Sequence, residues 1–400
     1  MCFGRMFRQM RRFSVALAFV CGCLCAVSGG FEQVRAESFE TKAPFAFLFD
    51  VETGSVLLDK NSTEKMPPSS MAKLMTMAVV FDMLKEGRLS ITDEFLISED
   101  AWRRGGAVSG GSTMFAELNS KIALSDLIPG VVVQSGNDAS IAIAEGLAGT
   151  EEGFARLMNA KASEIGLTGS NFANATGLPD PNMYVTARDL AKLALYIINE
   201  HPEYYSYYGM PEFTWNKVRQ RNRNPLLRMD IGADGLKTGY TEKAGYGLVG
   251  SAVQNGRRLV LVINGLNTMR DREEEARKLL LWGFRAFDKA TLFDAGKTVG
   301  SVRVFGGATG RVGVVGKGDI HLLVPKGAQP DLRARIVYEG PVAAPIEKGA
   351  RIASLRVYDG ETLLLDSPLY AQEDVDVGPL HMRALDAALA LVAQLWRQAF

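Results

Sequence analysis

Between Pro68 and Gly87 the polar positions thin out. Met71, Leu74, Met75, Ala78, Phe81, Met83 and Leu84 form a mostly apolar run of helical length, and Gly87 closes it. Two prolines cannot sit inside a helix, but Pro67 and Pro68 can lead into one, and Ser69 suits its N-cap. Ahead of this helix, Phe45 to Asp50 and Val56 to Asp59 predict two strands joined by the hairpin signal Glu52-Thr53-Gly54-Ser55. Residues 90 to 122, with Gly105-Gly106 and Gly110-Gly111, are expected as loop and short strand at a cleft rim. From Ser125 to Tyr208 the pattern turns helical. One helix opens at Ser125-Asp126-Leu127, a second covers Asp138 to Leu147, and a third runs from Glu152 to Ile165 and stops at Gly166. Thr186-Ala187-Arg188-Asp189 reads as a capping box for a helix reaching Ile198. Residues 213 to 266 return to strands, with Leu236 to Tyr240 following the turn at Asp234-Gly235. The apolar runs Leu248 to Val253 and Leu259 to Gly265 suit central strands, and Arg272 to Ala290 predicts a last helix with Leu279, Leu280, Trp282 and Phe284 along it.

After Ala290 the texture changes. Residues 293 to 376 are rich in Gly and Val and carry no long helical pattern. Leu332, Ala334, Ile336 and Tyr338 alternate with Arg333 and Arg335, as a half-buried strand should, and Asp359-Gly360 is a strong hairpin turn. This predicts a separate β domain over 291–376, a spacer or docking module without a nucleophile or metal-ligand spacing. The segment 377–400 ends in a helix from Leu380 to Phe400. Leu385, Leu389, Val392, Leu395, Trp396 and Phe400 fall on one side of it, and Arg383, Asp386, Gln394 and Arg397 on the other. Such a helix either packs on its own domain or lies in a membrane interface with Trp396 and Phe400 inserted; charges inside the apolar span argue against a crossing.

Residues 1–36 read as an export signal. Arg5, Arg8, Arg11 and Arg12 precede the apolar core Phe13 to Val27, and Val34-Arg35-Ala36 offers a cleavage site before Glu37. A retained anchor, or lipoprotein processing at Cys23, is the rival reading. Cys2, Cys21, Cys23 and Cys25 all fall in this segment, so the mature chain is expected without disulfides and must rely on its core. Some 364 residues suffice for that and suggest two domains, 37–290 and 291–376. Losing the signal leaves 40 basic against 44 acidic residues, so the basic excess that nucleic-acid binding wants is missing.

The candidate chemistry starts at Ser70 and Lys73, which share a face of the first predicted helix. A serine hydroxyl becomes a nucleophile when a base takes its proton, and a lysine amine serves if its charge is disfavoured. Ser-x-x-Lys alone is a permissive pattern: Ser62-Thr63-Glu64-Lys65 also matches, but it runs into Pro67-Pro68, so no helix can hold that pair. Two further elements give the first pair weight. Ser135-Gly136-Asn137 falls at a break between predicted helices, where Ser135 could otherwise be a mere helix cap. Lys237-Thr238-Gly239 lies on a predicted strand, where a lysine is unusual unless it protects an edge. In this order the three motifs form the set of penicillin-binding proteins and class A β-lactamases.

The sequence resembles the low-molecular-weight penicillin-binding proteins of the serine-type D-alanyl-D-alanine carboxypeptidase family. The likeness rests on Phe49-Asp50-x-x-Thr53-Gly54, Pro68-x-Ser70-x-x-Lys73-Leu74-Met75-Thr76, Val133-x-Ser135-Gly136-Asn137-Asp138-Ala139 and Asn222-Arg223-Asn224. It continues through Asp234-Gly235-Leu236-Lys237-Thr238-Gly239, Lys243-Ala244-Gly245-Tyr246, Arg272-Glu273 and Trp282-Gly283-Phe284-Arg285, spanning most of residues 44 to 290. The resemblance implies an α/β (α+β) transpeptidase-like fold. An antiparallel sheet would be flanked by helices, with a helical subdomain at about 125–208, a C-terminal all-β domain and an amphipathic helix. It also implies that Ser70 attacks the penultimate D-alanine carbonyl of a peptidoglycan stem peptide, with Lys73 as base. Ser135 would relay the proton, Lys237 would tune that relay, and Asn137 would hold the substrate amide. Lys237, Thr238, Gly239 and Arg272 would bind the chain end and its carboxylate, and the backbone N–H groups of Ser70 and Tyr240 would form the oxyanion hole. β-Lactams would bind covalently, and the last helix would attach the exported protein to the outer surface of the cytoplasmic membrane.

Tyr240 departs from the family, where histidine often follows Lys-Thr-Gly, which puts side-chain tuning of Lys237 in question. No cofactor is implied, and no metal, since His201, His321 and His381 are far apart in sequence. The rivals are an endopeptidase on cross-linked stems, a β-lactamase, and a non-catalytic wall-binding protein. A β-lactamase would want a base in the loop Asn171 to Asn182, which offers Asp180 but no glutamate.

Overall fold

The structure is a computed structural model that describes residues 39–327, 331–384 and 386–387. The expected export signal and most of the C-terminal helix lie outside the described residues. The chain opens with a hairpin of β1 (Phe45–Asp50) and β2 (Val56–Lys60). A 3-10 turn at Ser69–Ala72 runs directly into α1 (Lys73–Lys85). The short strands β3 (Glu94–Leu96) and β4 (Lys121–Ala123) pair across the irregular segment between them. Then come α2 (Leu124–Val132), α3 (Asn137–Ala148), α4 (Glu151–Glu164), α5 (Ala187–Glu200) and the single turn α6 (Pro202–Tyr205). A small hairpin of β5 (Glu212–Trp215) and β6 (Val218–Arg221) leads to the long strands β7 (Ala233–Thr241), β8 (Gly245–Gln254) and β9 (Arg257–Leu266), and α7 (Met269–Arg285) follows.

These elements build an antiparallel sheet in the order β2-β1-β9-β8-β7, with β7 at one edge. Its central strands are apolar on both faces because both are covered. Phe47, Val249, Val260 and Val262 share a buried cluster with α1 and the helical subdomain. Their alternates Leu48, Leu248, Leu259, Leu261 and Ile263 pack on Ala276, Leu279 and Leu280 of α7. Helix α1 is apolar nearly all round because it is buried all round: Leu74, Met75, Ala78, Val80 and Phe81 have no exposed surface. The buried helix therefore carries Lys73 into the interior at its first turn.

From Phe287 to Ala371 the named elements are all strands. Strand β10 (Phe287–Phe293) pairs with β13 (Ile320–Pro325). The second sheet has the order β14-β16-β17-β12-β11-β15, built from β11 (Thr298–Phe305), β12 (Arg311–Val315), β14 (Leu332–Val337), β15 (Val342–Ala343), β16 (Arg351–Asp359) and β17 (Thr362–Ala371). It has its own core of Val302, Val312, Leu355, Leu365 and Leu369. No helix among the described residues is long and apolar enough to cross a membrane.

Three local expectations are corrected. Ser69 is not a side-chain cap: its backbone has φ +43, Pro68 occupies the cap position, and its Oγ is buried. A β-carbon on Gly239 would lie 2.3 Å from that oxygen, so strand β7 presses on the turn and leaves no room for a cap. The helix expected to reach Ala290 ends at Arg285, because Phe287–Phe293 is taken up by β10 and its pairing with β13. Thr186 does cap α5, its Oγ1 accepting from the Asp189 N–H at 3.1 Å, but the box is not closed: the Asp189 carboxylate accepts from the Gly169 N–H and from Ser170 Oγ, each at 2.8 Å, instead of from the Thr186 N–H.

Candidate active site

Ser70 and Lys73 meet where the 3-10 turn joins α1. Lys73 Nζ lies 3.3 Å from Ser70 Oγ, 2.7 Å from Asn137 Oδ1 and 2.6 Å from the Thr176 carbonyl oxygen. A neutral amine has two hydrogens and one lone pair. The two short contacts use the hydrogens, which leaves the lone pair for the Ser70 hydroxyl proton. Burial of Lys73, reinforced by the positive charge of Arg223, brings its pKa down to about 7, against the opposing pull of Asp138 and Glu151. That shift corresponds to about 5 kcal/mol of environment working against the ammonium. The decoy pair differs: Ser62 and Lys65 sit in the turn after β2, and the Lys65 ammonium lies over the Tyr184 ring.

The lysine's partners are themselves held. Asn174 Oδ1 accepts from the Gly177 N–H at 2.8 Å and from Thr176 Oγ1 at 2.9 Å, which fixes the Thr176 carbonyl over Lys73. Gly177 must be glycine: its φ is +79, and a β-carbon there would stand 1.8 Å from the Ser69 carbonyl oxygen. Asn137 opens α3, and the buried Asp138 after it accepts from Thr113 Oγ1 and from the Met114, Ala116 and Ala139 N–H groups. Ser135, just before, has φ +66, and its buried Oγ has no partner among the described residues. A residue held in a disfavoured conformation with an orphan hydroxyl is poorly explained as a helix cap.

Lys237 arrives from the opposite side on β7. It is 2 % exposed, so protecting a sheet edge is not its role. Burial, then the positive charges of Lys73, Arg223 and Arg272, push its pKa well below that of an ordinary lysine, and its Nζ donates to the Thr238 carbonyl at 3.1 Å. Thr238 is buried beside it. Arg272, in the first turn of α7, is buried with its guanidinium 5.6 Å from the Tyr246 ring centroid, and its Nε has no partner among the described residues. Burial lowers Arg272 to about 10, which leaves it cationic at neutral pH. Tyr240, half exposed, stacks on Tyr246 at 4.2 Å between centroids.

Arg223 lowers the pKa of Lys73, Lys237 and Arg272 alike, and Lys73 and Arg272 add to the effect on Lys237. Arg223 is an addition. The sequence offers it only inside Asn222-Arg223-Asn224, with no chemical reading; in the fold its guanidinium donates to Ser112 Oγ at the cleft mouth. The Thr176 carbonyl is the other addition, and a backbone oxygen has no signature in a sequence.

A part-exposed serine beside a buried lysine, under a five-stranded sheet and with a second buried serine and a second buried lysine, defines the penicillin-binding class of fold. Penicillin-binding protein 5 from Haemophilus influenzae superimposes with a TM-score of 0.68 at 37% identity, over 84% of this chain and 98% of that one. The D-alanyl-D-alanine carboxypeptidase family profile matches residues 32–268, and that of the penicillin-binding protein 5 C-terminal domain matches residues 287–377. The chain belongs to the D-alanyl-D-alanine carboxypeptidase family. It is 38% identical to D-alanyl-D-alanine carboxypeptidase DacC of Escherichia coli (strain K12), over 89% of each chain. It is also 37% identical to DacA of H. influenzae, over 88% of this chain and 89% of that one.

Proposed function

We propose that the protein is a serine-type D-alanyl-D-alanine carboxypeptidase that removes the terminal D-alanine from peptidoglycan stem pentapeptides, and that penicillins acylate the same serine. The observation that carries this reading is Lys73: a buried amine with a pKa of about 7, within 3.3 Å of Ser70 Oγ. Neutral Lys73 takes the Ser70 hydroxyl proton as Oγ attacks the penultimate carbonyl. The oxyanion faces the N–H groups of Ser70 and Tyr240, and each such donor contributes about 10²–10³ in rate. Ser135 passes a proton to the departing D-alanine amine, under the field of Lys237, and Asn137 orients both Lys73 and the substrate amide. Water then hydrolyses the ester, releasing the shortened peptide and restoring Ser70. Thr238, Lys237 and Arg272 receive the terminal carboxylate.

The protein acts, in this reading, after export and cleavage behind Ala36, on the outer face of the cytoplasmic membrane. The C-terminal helix attaches it there.

The test is a free chain end against a blocked one. A D-Ala-D-Ala peptide should be cleaved roughly 30-fold faster or more than its C-terminal amide, the effect of losing one partner of a buried charge pair at 2–5 kcal/mol. Arg272→Ala should remove that preference. Equal rates on acid and amide would point to an endopeptidase instead.

A further inference from the structure

Arg272 is the cation that the carboxypeptidase reading assigns to the free chain end, yet little in the protein holds it. It is buried in the first turn of α7, the end of a helix where a positive charge is disfavoured. Of its acidic neighbours on that helix, Asp271 pairs with Lys42, Glu274 pairs with Arg270, and Glu275 accepts from Thr41 Oγ1. Its Nε has no partner among the described residues. The specific contact it does make is aromatic: the guanidinium carbon lies 5.6 Å from the Tyr246 ring centroid. We propose that Tyr246, backed by Tyr240, is a positioning residue that holds the Arg272 guanidinium ready for the chain-end carboxylate. This rests on the carboxypeptidase reading and adds to it the side chains that set up its recognition of a free end.

The sheet brings these groups to one face. Thr238 and Tyr240 are two apart on β7, so both point to the same side, and their partners across on β8 are Leu248 and Tyr246. Leu248 packs with Leu279 and Leu280 of α7, and Tyr246 lies against the same cluster, so this is the face that α7 covers. Thr238, Tyr240 and Tyr246 therefore stand on the side from which Arg272 approaches.

The Tyr246 ring is also well fixed. Its backbone is paired on both sides, opposite Tyr240 in β7 and Leu266 in β9. Just before it, Gly245 has φ +70, and a β-carbon there would stand 2.8 Å from the Leu266 carbonyl oxygen. Tyr240, half exposed, stacks on the ring at 4.2 Å between centroids and shields it from solvent. A guanidinium over a shielded ring gains more than one at an open surface. The ring also meets the face of the guanidinium and leaves its N–H edge free to fork onto a carboxylate, which a protein acid in that place would occupy.

The experiment measures hydrolysis of one acylated D-Ala-D-Ala peptide and of its C-terminal amide by the full chain. Tyr246→Leu should lower kcat/KM on the acid about tenfold, mostly through KM, and leave the amide within about twofold. Tyr246→Phe keeps the ring and should stay within about twofold on both substrates. In the Arg272→Ala background, Tyr246→Leu should not change the acid-to-amide ratio further, because the guanidinium it held is gone. Tyr240→Leu alters a half-exposed side chain and carries the test if Tyr246→Leu does not fold. It should lower the ratio about threefold, and a ratio cancels any disturbance of the Tyr240 N–H. The positioning role would be overturned by an unchanged ratio in both leucine variants or by equal losses on acid and amide. A loss in Tyr246→Phe as large as in Tyr246→Leu, or a further fall in the Arg272→Ala background, would overturn it too. Each of these results leaves the carboxypeptidase reading standing. Equal rates on acid and amide without any substitution would overturn that reading and the positioning role with it.

Discussion

Lys73 sets the pH dependence. Its folded pKa of about 7 is lowered from that of an ordinary lysine; with the free amine as the proposed base, the rate of acylation should rise with pH through about 7 and level off above it. Below that point it should fall about tenfold per unit. Lys73→Met should lower kcat/KM by about 10² or more and erase the rise, as read from D-alanine release between pH 5 and 9. The order Ser70, Lys73, Ser135, Asn137, Lys237 was legible because side-chain chemistry is written in the sequence. Burial is not: nothing in Ser-x-x-Lys says that Lys73 is 1 % exposed, and that burial is what lowers its pKa. Arg223 was missed for a related reason, since a surface arginine becomes part of a site only through the turn that carries it.

Helix and strand types followed the apolar spacing, while the close approaches between elements did not. Gly177 and Gly239 let the loop and β7 close on the turn that presents Ser70. Gly177→Ala combines a left-handed backbone with a 1.8 Å contact to backbone and should cost more than about 3 kcal/mol. Gly149→Ala is the control: its φ is +77, but open space surrounds it, so only the backbone cost of about 1 kcal/mol should appear. Chemical denaturation of the two variants measures the difference. The end of α7 was misread at the same level, because β10 forms by pairing with a strand some thirty residues further on, which local spacing cannot reveal.

At the scale of the molecule, the change of pattern near residue 290 announced the β domain but not its attachment. Phe287 and Leu323 sit in the same buried cluster as Leu48, Leu57 and Leu259, and the Leu323 N–H donates to Ser55 Oγ at 3.0 Å. Deleting residues 287–400 should therefore lower the melting temperature of the catalytic part, since each of those two side chains contributes about 1.5–3 kcal/mol when buried. A cut after Pro379 is milder. The helix that starts at Leu380 touches the β domain where Asp386 Oδ2 accepts from the Gly306 N–H. That truncation should release the protein from membranes and leave peptide hydrolysis in solution unchanged. Retention in the membrane fraction would place the anchor elsewhere. The central claim, a serine activated by a buried lysine, is tested most directly by mass spectrometric peptide mapping after brief reaction with a penicillin at several pH values. The account predicts a single adduct on Ser70, forming faster as pH rises through about 7 and absent from Ser70→Ala; an adduct on Ser62 or Ser135, or none at all, would contradict it.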